Sequence, residues 1–184
     1  MPVVRGVTQP VFTTARLRLR PRSLSDTEAC FAMDREPGVT DHIDGPWDDP
    51  AAHRAFIAER TAGPWPAGMG YWVVQAEGAF AGWVCLVPGG DADSDVEVGW
   101  RLRPSLWGRG IATEAAAPLL GHGFATLGLA EIVVRIAAEN SASLRVAAKL
   151  GFPPPAEHSV GYLRGALPRQ DWLAREGGRH APAR

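Results

Sequence analysis

Along residues 16–20 apolar and polar positions alternate, Leu17 and Leu19 on one side against Arg16, Arg18 and Arg20 on the other, and Pro21 ends the run. That alternation is the mark of a half-buried strand, starting from about Phe12. Ser25-Asp26 offers a helix cap, with Ala29, Phe31, Ala32 and Met33 as a short apolar face before Pro37-Gly38 stops it. A second helix is expected over about residues 49–60, with Phe56 and Ile57 inward. The runs 71–76 and 80–87 flank Glu77-Gly78-Ala79 and read as a hairpin. Residues 95–102 alternate again: Asp95, Glu97, Gly99 and Arg101 share one face, Val96, Val98, Trp100 and Leu102 the other.

Beyond that central strand a helix should begin at the glycines 108 and 110 and run to about Leu127. Pro118 lies inside it, where a missing donor and a ring clash cost about 3 kcal/mol, so an irregularity is expected there, loosened further by Gly121 and Gly123. Residues 130–138 form an apolar strand. Asn140-Ser141 caps a last helix with Leu144, Ala147, Ala148 and Leu150 inward and Gly151 at its end. Residues 157–174 suggest a terminal pair of strands turning around 165–169. This order of strands and helices is that of an α/β layered domain. The domain is expected over residues 12–175, after a leader (1–11) and before a polar tail (176–184).

A length of 184 residues suits one domain with a sizeable core, and 46% hydrophobic against 21% charged residues is a globular balance. The formal net charge of −1 leaves no electrostatic footprint for nucleic acid or for an anionic membrane. No apolar stretch approaches the ~18 residues of a membrane span. Cys30 and Cys85 are far apart and each lies in an apolar pattern, which implies buried free thiols in a reducing compartment. The N-terminus lacks the features of a secretion signal, so the cytoplasm is the expected location. Five scattered histidines without metal-ligand spacing argue against a zinc site, and no metal is expected.

The chemistry concentrates in Trp107-Gly108-Arg109-Gly110-Ile111-Ala112-Thr113, where a strand turns through glycines into a helix. The first turn of a helix has unpaired N–H groups and a partial positive charge, which suit a phosphate or pyrophosphate. A nucleoside-triphosphate loop would need a Gly-Lys-Ser/Thr ending that is absent. A dinucleotide fingerprint needs glycine or alanine where Thr113 stands. Without a Cβ, Gly108 and Gly110 let a phosphate approach the backbone.

Three segments in order and spacing resemble the GNAT family of N-acetyltransferases, and within it the RimJ/RimL-like branch. They are Thr14-Ala15-Arg16-Leu17-Arg18-Leu19-Arg20, then Trp107-Gly108-Arg109-Gly110 with Ala112-Thr113-Glu114-Ala115, then Asn140 and Ser143 followed by Lys149-Leu150-Gly151-Phe152. Trp107 departs from the Gln or Arg that opens the wider family's loop. The resemblance implies a single-domain GNAT fold: a mixed, mostly antiparallel sheet of six to seven strands, splayed at its centre and flanked by about four helices. It implies acetyl-CoA as co-substrate, its pyrophosphate over the backbone of Trp107, Gly108, Arg109, Gly110, Ile111, Ala112 and Thr113. Arg109 either adds a charged contact there or is simply solvated. The pantetheine would follow the central strand around Trp100 and Leu102, and Asn140 and Ser143 would contact CoA.

The implied reaction is acetyl transfer from a thioester to a primary amine, on a protein N-terminus or a small molecule. An alkylammonium with a pKa of about 10 needs a base. Glu97 is the candidate and Asp95 the alternative, though a strand glutamate also serves in a surface salt bridge. Many relatives protonate the leaving thiolate with a tyrosine where Ala147 stands here. Ser143 matches the branch's serine and is the candidate donor, or a plain helix-start serine. Of seven tryptophans, Trp47, Trp65 and Trp83 fall in segments that line the family's acceptor pocket, and His42 and Asp44 precede Trp47; His42, Trp47 and Trp83 are the candidates for acceptor binding. A homodimer is a further implication of the family. A catalytically silent acyl-CoA-binding module of the same fold is the alternative function.

Overall fold

The computed structural model describes residues 8–89 and 95–179, and the alternating segments pair there into one open sheet. Its strands are β1 (Phe12–Thr13), β2 (Leu17–Pro21), β3 (Gly70–Ala76), β4 (Ala79–Pro88), β5 (Val96–Leu102), β6 (Glu131–Ala137), β7 (Ala156–Ser159) and β8 (Tyr162–Pro168), in the spatial order β1-β2-β3-β4-β5-β6-β8-β7. Every pairing is antiparallel except β5 with β6, which is parallel and registers at a single pair, Glu97 with Val133. Helices α1 (Thr27–Asp34), α2 (Pro50–Ala62), α3 (Ile111–Gly121), α4 (Ser141–Leu150) and α5 (Arg169–Arg179) flank it.

Eight strands and five helices among the described residues exceed the six to seven and about four expected. The extra strand arises because the first one folds back on itself. Thr14 N–H donates to Leu17 O at 2.9 Å, so Phe12 comes to lie opposite Leu19. At the C-terminal end the strand pair turns at Val160-Gly161, where Gly161 takes a φ of +79°, and not around 165–169. Gly165 instead sits in mid-strand, where a Cβ would come within 3.1 Å of Val134 and 3.2 Å of Pro155. After Pro168 the chain enters α5 in place of the expected strand. Trp172 anchors that helix against Phe124, with ring centroids 5.3 Å apart. Of the leader (1–11) and the tail (176–184), residues 1–7 and 180–184 lie outside the described residues.

One face of the sheet is the main core: Leu17, Leu19, Trp72, Val84, Val98 and Ile132 pack under α3 and α4. α3 passes through Pro118 and gives way at His122–Thr126 to a π-helical turn, closed by Leu127 N–H onto His122 O at 3.0 Å. The irregularity thus falls beyond the proline, where Gly123 lets the chain press onto Ile132 (a Cβ there would stand 2.7 Å away). On the opposite face a smaller cluster of Tyr71, Cys85 and Val87 meets Trp65 and Trp83. α1 turns Cys30, Met33 and Asp34 inward, while Ala32 is exposed and Phe31 lies under the Arg54 guanidinium at 3.7 Å. Asp26 stands at the N-cap position of α1 without a side-chain bond to it; its carboxylate accepts from Ser23 N–H, in a capping box on the short 3-10 turn Leu24–Asp26, and pairs with Arg20. α2 is capped by Asp49, whose carboxylate accepts from Ala51 and Ala52 N–H, and the helix buries His53 and Ile57. In α4 Ala147 and Leu150 are buried and Ala148 is exposed. Both cysteines are buried free thiols. Among the described residues no helix is long and apolar enough to cross a membrane.

Candidate active site

The parting of β5 from β6 opens a cavity of about 1100 Å³ that runs from the glycine turn, past Trp100 and Glu97, to Tyr71 and Arg22. A sheet gap of this kind leaves main-chain N–H and C=O groups without strand partners, a ready binding surface for an amide-bearing ligand.

At one end, Gly108 and Gly110 take φ values of +72° and +75°, a left-handed region that non-glycine residues rarely visit. A Cβ on Gly108 would meet nothing within 4 Å, so the turn is open. α3 makes its first i→i−4 bond from Glu114 N–H to Gly110 O at 3.0 Å, which leaves the amides of Ile111, Ala112 and Thr113 without an intrahelical acceptor. Thr113 Oγ1 is buried in the cavity wall with no partner among the described residues. Open glycines, free first-turn amides and an orphaned hydroxyl fit a diphosphate.

The turn is held from behind. Arg16 donates to Arg109 O at 3.0 Å, and because a trans peptide points its N–H opposite its C=O, the Gly110 N–H is turned away from Arg16. Glu114, in the first turn of α3, would repel an anion if free. It accepts instead from Thr14 Oγ1 at 2.6 Å and from the Arg16 backbone and guanidinium at 2.9 and 2.6 Å. Burial pushes its pKa up, but these bonds outweigh that and hold it below the usual value. The first and second sequence segments are therefore two halves of one clamp. Trp107 is half exposed, yet its indole N–H donates to Leu102 O at 2.8 Å and ties the turn to the end of β5.

At the centre, Glu97 keeps 27% of its side chain open to the cavity and lies 3.1 Å from Arg135 Nη1. Removal of water by the surrounding protein raises its pKa, and Arg135 only partly offsets this. Asp95 goes the other way. Arg164 and then Arg135 pair with it at 3.0 and 2.9 Å and hold it below the usual carboxylate range. With Arg164 also 3.0 Å from Glu131, these charges fasten β5, β6 and β8 at the end where the seam is still closed. Asp95 does not line the cavity, so the structure separates a fastening carboxylate from one that faces the cavity. Across from Glu97, Asn140 Oδ1 caps α4 by accepting from Ser143 N–H at 2.9 Å, and Trp100 Nε1 donates to Ser143 Oγ at 3.3 Å. The hydroxyl hydrogen of Ser143 is left free to point elsewhere.

Of the residues singled out from the sequence, Glu97, Trp100, Leu102, Trp107, Gly108, Gly110, Ile111, Ala112, Thr113, Asn140 and Ser143 line this one cavity, as do His42 and Trp83. Arg109 does not; it is exposed on the outer side of the turn. Trp47 does not either. It stands behind the wall, edge-on to His53 and Phe56 at 4.9 and 5.7 Å, with the Arg101 guanidinium 5.3 Å from its ring. Sequence reasoning gave no role to Arg22, Tyr71, Arg101 or Arg135. Arg101 shares the Glu97 face and is 8% exposed; its Nη1 lies 2.9 Å from Asp34 Oδ1 as an ion pair, off the direction of a hydrogen bond. The other Asp34 oxygen meets His53 Nε2 at 3.0 Å. An arginine on the inward side of a central strand was the available signal.

Known proteins share the fold. The profile of the family described as "Acetyltransferase (GNAT) domain" matches residues 16–153. The FsC-acetyl coenzyme A-N(2)-transacetylase of Aspergillus fumigatus is 30% identical, over 90% of this chain and 79% of its own. A solved acetyltransferase from Agrobacterium tumefaciens superposes with a TM-score of 0.71 at 27% identity, covering 86% of this chain and 94% of that one. The spermidine N-acetyltransferase of Vibrio cholerae, solved with CoA and spermine, shares the fold at TM-score 0.71 and 17% identity, over 87% of this chain and 99% of that one. With its open turn, its splayed sheet and these relatives, the chain belongs to the GNAT acetyltransferase family and is an enzyme of that family, whose general reaction is acetyl-CoA-dependent acetylation of an amine.

Proposed function

We propose that this enzyme, of the RimJ/RimL-like branch, acetylates a primary amine by direct attack in a ternary complex, with Glu97 as base and Ser143 as proton donor. The observation that carries this reading is Glu97 itself, a carboxylate of raised pKa facing the cavity at the one register point that joins β5 to β6. Acetyl-CoA supplies an activated acyl carbon. The amides of α3 and Thr113 Oγ1 hold the diphosphate, and the unpaired backbone of β5 beside Trp100 and Leu102 takes the pantetheine. Glu97 accepts a proton from the ammonium so that a lone pair is available on nitrogen. As the N–C bond forms and the C–S bond breaks, a β5 N–H near Trp100 stabilises the developing oxyanion. Ser143, oriented by the Trp100 indole, then gives its proton to the departing sulfur and takes up in its place the second proton shed by the newly acetylated nitrogen, while Glu97 returns its own proton to solvent. The N(2) in the A. fumigatus relative's name agrees with a nitrogen acceptor.

The silent-module reading draws on the Arg135–Glu97 pair and on Ala147 where many relatives have tyrosine. Free-thiol release from acetyl-CoA over a panel of amines separates the two. Release is expected for the wild type and should fall about 10²-fold or more in Glu97→Gln. Unchanged release in the variant removes Glu97 from the base role; thermal stabilisation by acetyl-CoA with no release from any amine leaves the binding module.

A further inference from the structure

Arg22 closes the far side of the cavity from the glycine turn. It is 8% exposed, and its guanidinium carbon lies 4.0 Å from the centre of the Tyr71 ring and 5.7 Å from that of Trp83. Its backbone N–H donates to Tyr71 O at 2.9 Å, which places it in line with Tyr71, Cys85 and Gly99 across four adjacent chain segments. Glu97 is the next residue along the same face of β5, and Tyr71 feels its charge.

A counter-charge is missing. Nε and Nη2 of Arg22 are buried without a hydrogen-bond partner among the described residues. Nearby acids are already engaged: Asp26 by Arg20, Asp34 by Arg101 and His53, Glu97 by Arg135. The other neighbours stay neutral, because burial pushes the Cys30 thiol up to about 11, the Cys85 thiol up to about 12, and the Tyr71 phenol up as well. Burial accordingly lowers the pKa of Arg22. An uncompensated charge is among the costliest groups to bury, and a protein that keeps one in a cavity wall gains when a ligand brings the opposite sign.

We propose that the acceptor amine carries a carboxylate, which Arg22 receives while Tyr71 and Trp83 pack on the carbon frame between the two ends. The idea rests on the acetyltransferase reading and names its substrate class. Planar guanidinium is the group suited to a carboxylate, and aromatic faces tolerate the arginine and an apolar frame together. Three strand spacings of about 4.8 Å put the backbones of Arg22 and Gly99 about 14 Å apart. Less the reach of the arginine side chain, that span suits a free amino acid or a short peptide. A purely cationic acceptor such as a polyamine would instead meet an unneutralised guanidinium.

The test compares the common α-amino acids, their carboxamides and short dipeptides, each titrated calorimetrically into the CoA-bound protein and each assayed for thiol release with acetyl-CoA. The acids should bind at least about tenfold more tightly than the carboxamides, a difference of ~1.4 kcal/mol. Arg22→Gln should abolish that preference with Tm held or raised, and Arg22→Lys should keep part of it. Dipeptides against single amino acids decide which source of carboxylate fits. Equal binding of acid and amide by the wild type, no binding of any acid, or a preference that survives in Arg22→Gln overturns the proposal. The wild-type comparison alone decides if a variant fails to fold. Selective, Arg22-dependent binding without thiol release would sink the acetyl-transfer reading and leave the carboxylate site standing; thiol release with amides as readily as acids would do the reverse.

Discussion

Two carboxylates two positions apart, Asp95 just before β5 and Glu97 within it, are driven in opposite directions by their surroundings, and that divergence has measurable consequences. For Glu97, burial raises the folded-state pKa above the unfolded value. The folded state then binds the proton more tightly, so stability falls as pH rises from the unfolded to the folded pKa, and the cost persists at neutral pH. Glu97→Gln is therefore expected to raise Tm at pH 7 while it lowers turnover; a lower Tm would show that the Arg135 pair outweighs burial. The rate at saturating acetyl-CoA should rise with pH through an inflection above the ordinary glutamate value of about 4.3, and that inflection should vanish in the variant. Glu97 was legible because strand alternation put it beside Gly99. Arg22 was not: the alternating run ends at Pro21, and the residues gathered around it, Tyr71, Trp83 and Cys30, come from three separate elements.

Among elements, the tie between the β1–β2 turn and α3 explains why two distant sequence segments occur together. Thr14 and Arg16 neutralise Glu114 and fix the Arg109 carbonyl, so the shape of the turn depends on a chain segment about a hundred residues away. Arg16→Met should raise KM for acetyl-CoA about tenfold, ~1.4 kcal/mol, because it frees an acid beside the diphosphate site. The acceptor KM should be unaffected; steady-state kinetics with each substrate varied in turn would show it. The helices with caps and a periodic face, α2 and α4, were readable in advance. α5 was not, since Trp172 is its one large residue packed on the core and the segment is otherwise polar. The terminal hairpin was misplaced for a related reason: Gly165 looked like a turn residue but is small to fit beneath Val134 and Pro155.

At the scale of the molecule, several carboxylates hold depressed pKa values through arginine partners, Asp95 foremost through Arg164 and Arg135, with Asp26 and Glu114 alongside. Each contributes stability that is present above its unfolded pKa and lost as pH falls through the folded one. Thermal melts should therefore show a decline below about pH 4, and Asp95→Asn should lower Tm at neutral pH and flatten that decline. Ligand binding acts in the other direction. Acetyl-CoA at about a hundred times its Kd adds ~2.7 kcal/mol, which for a domain of this size corresponds to a Tm rise of about 5–10 °C.

The half-stitched junction of β5 and β6 gives the enzyme something most open sheets avoid, a pair of raw edges in the middle and not at the rim. Bare edges recruit foreign strands, so the coenzyme doubles as a guard: protein stored without it should clump sooner than protein stored with it, whatever amine it was made to modify.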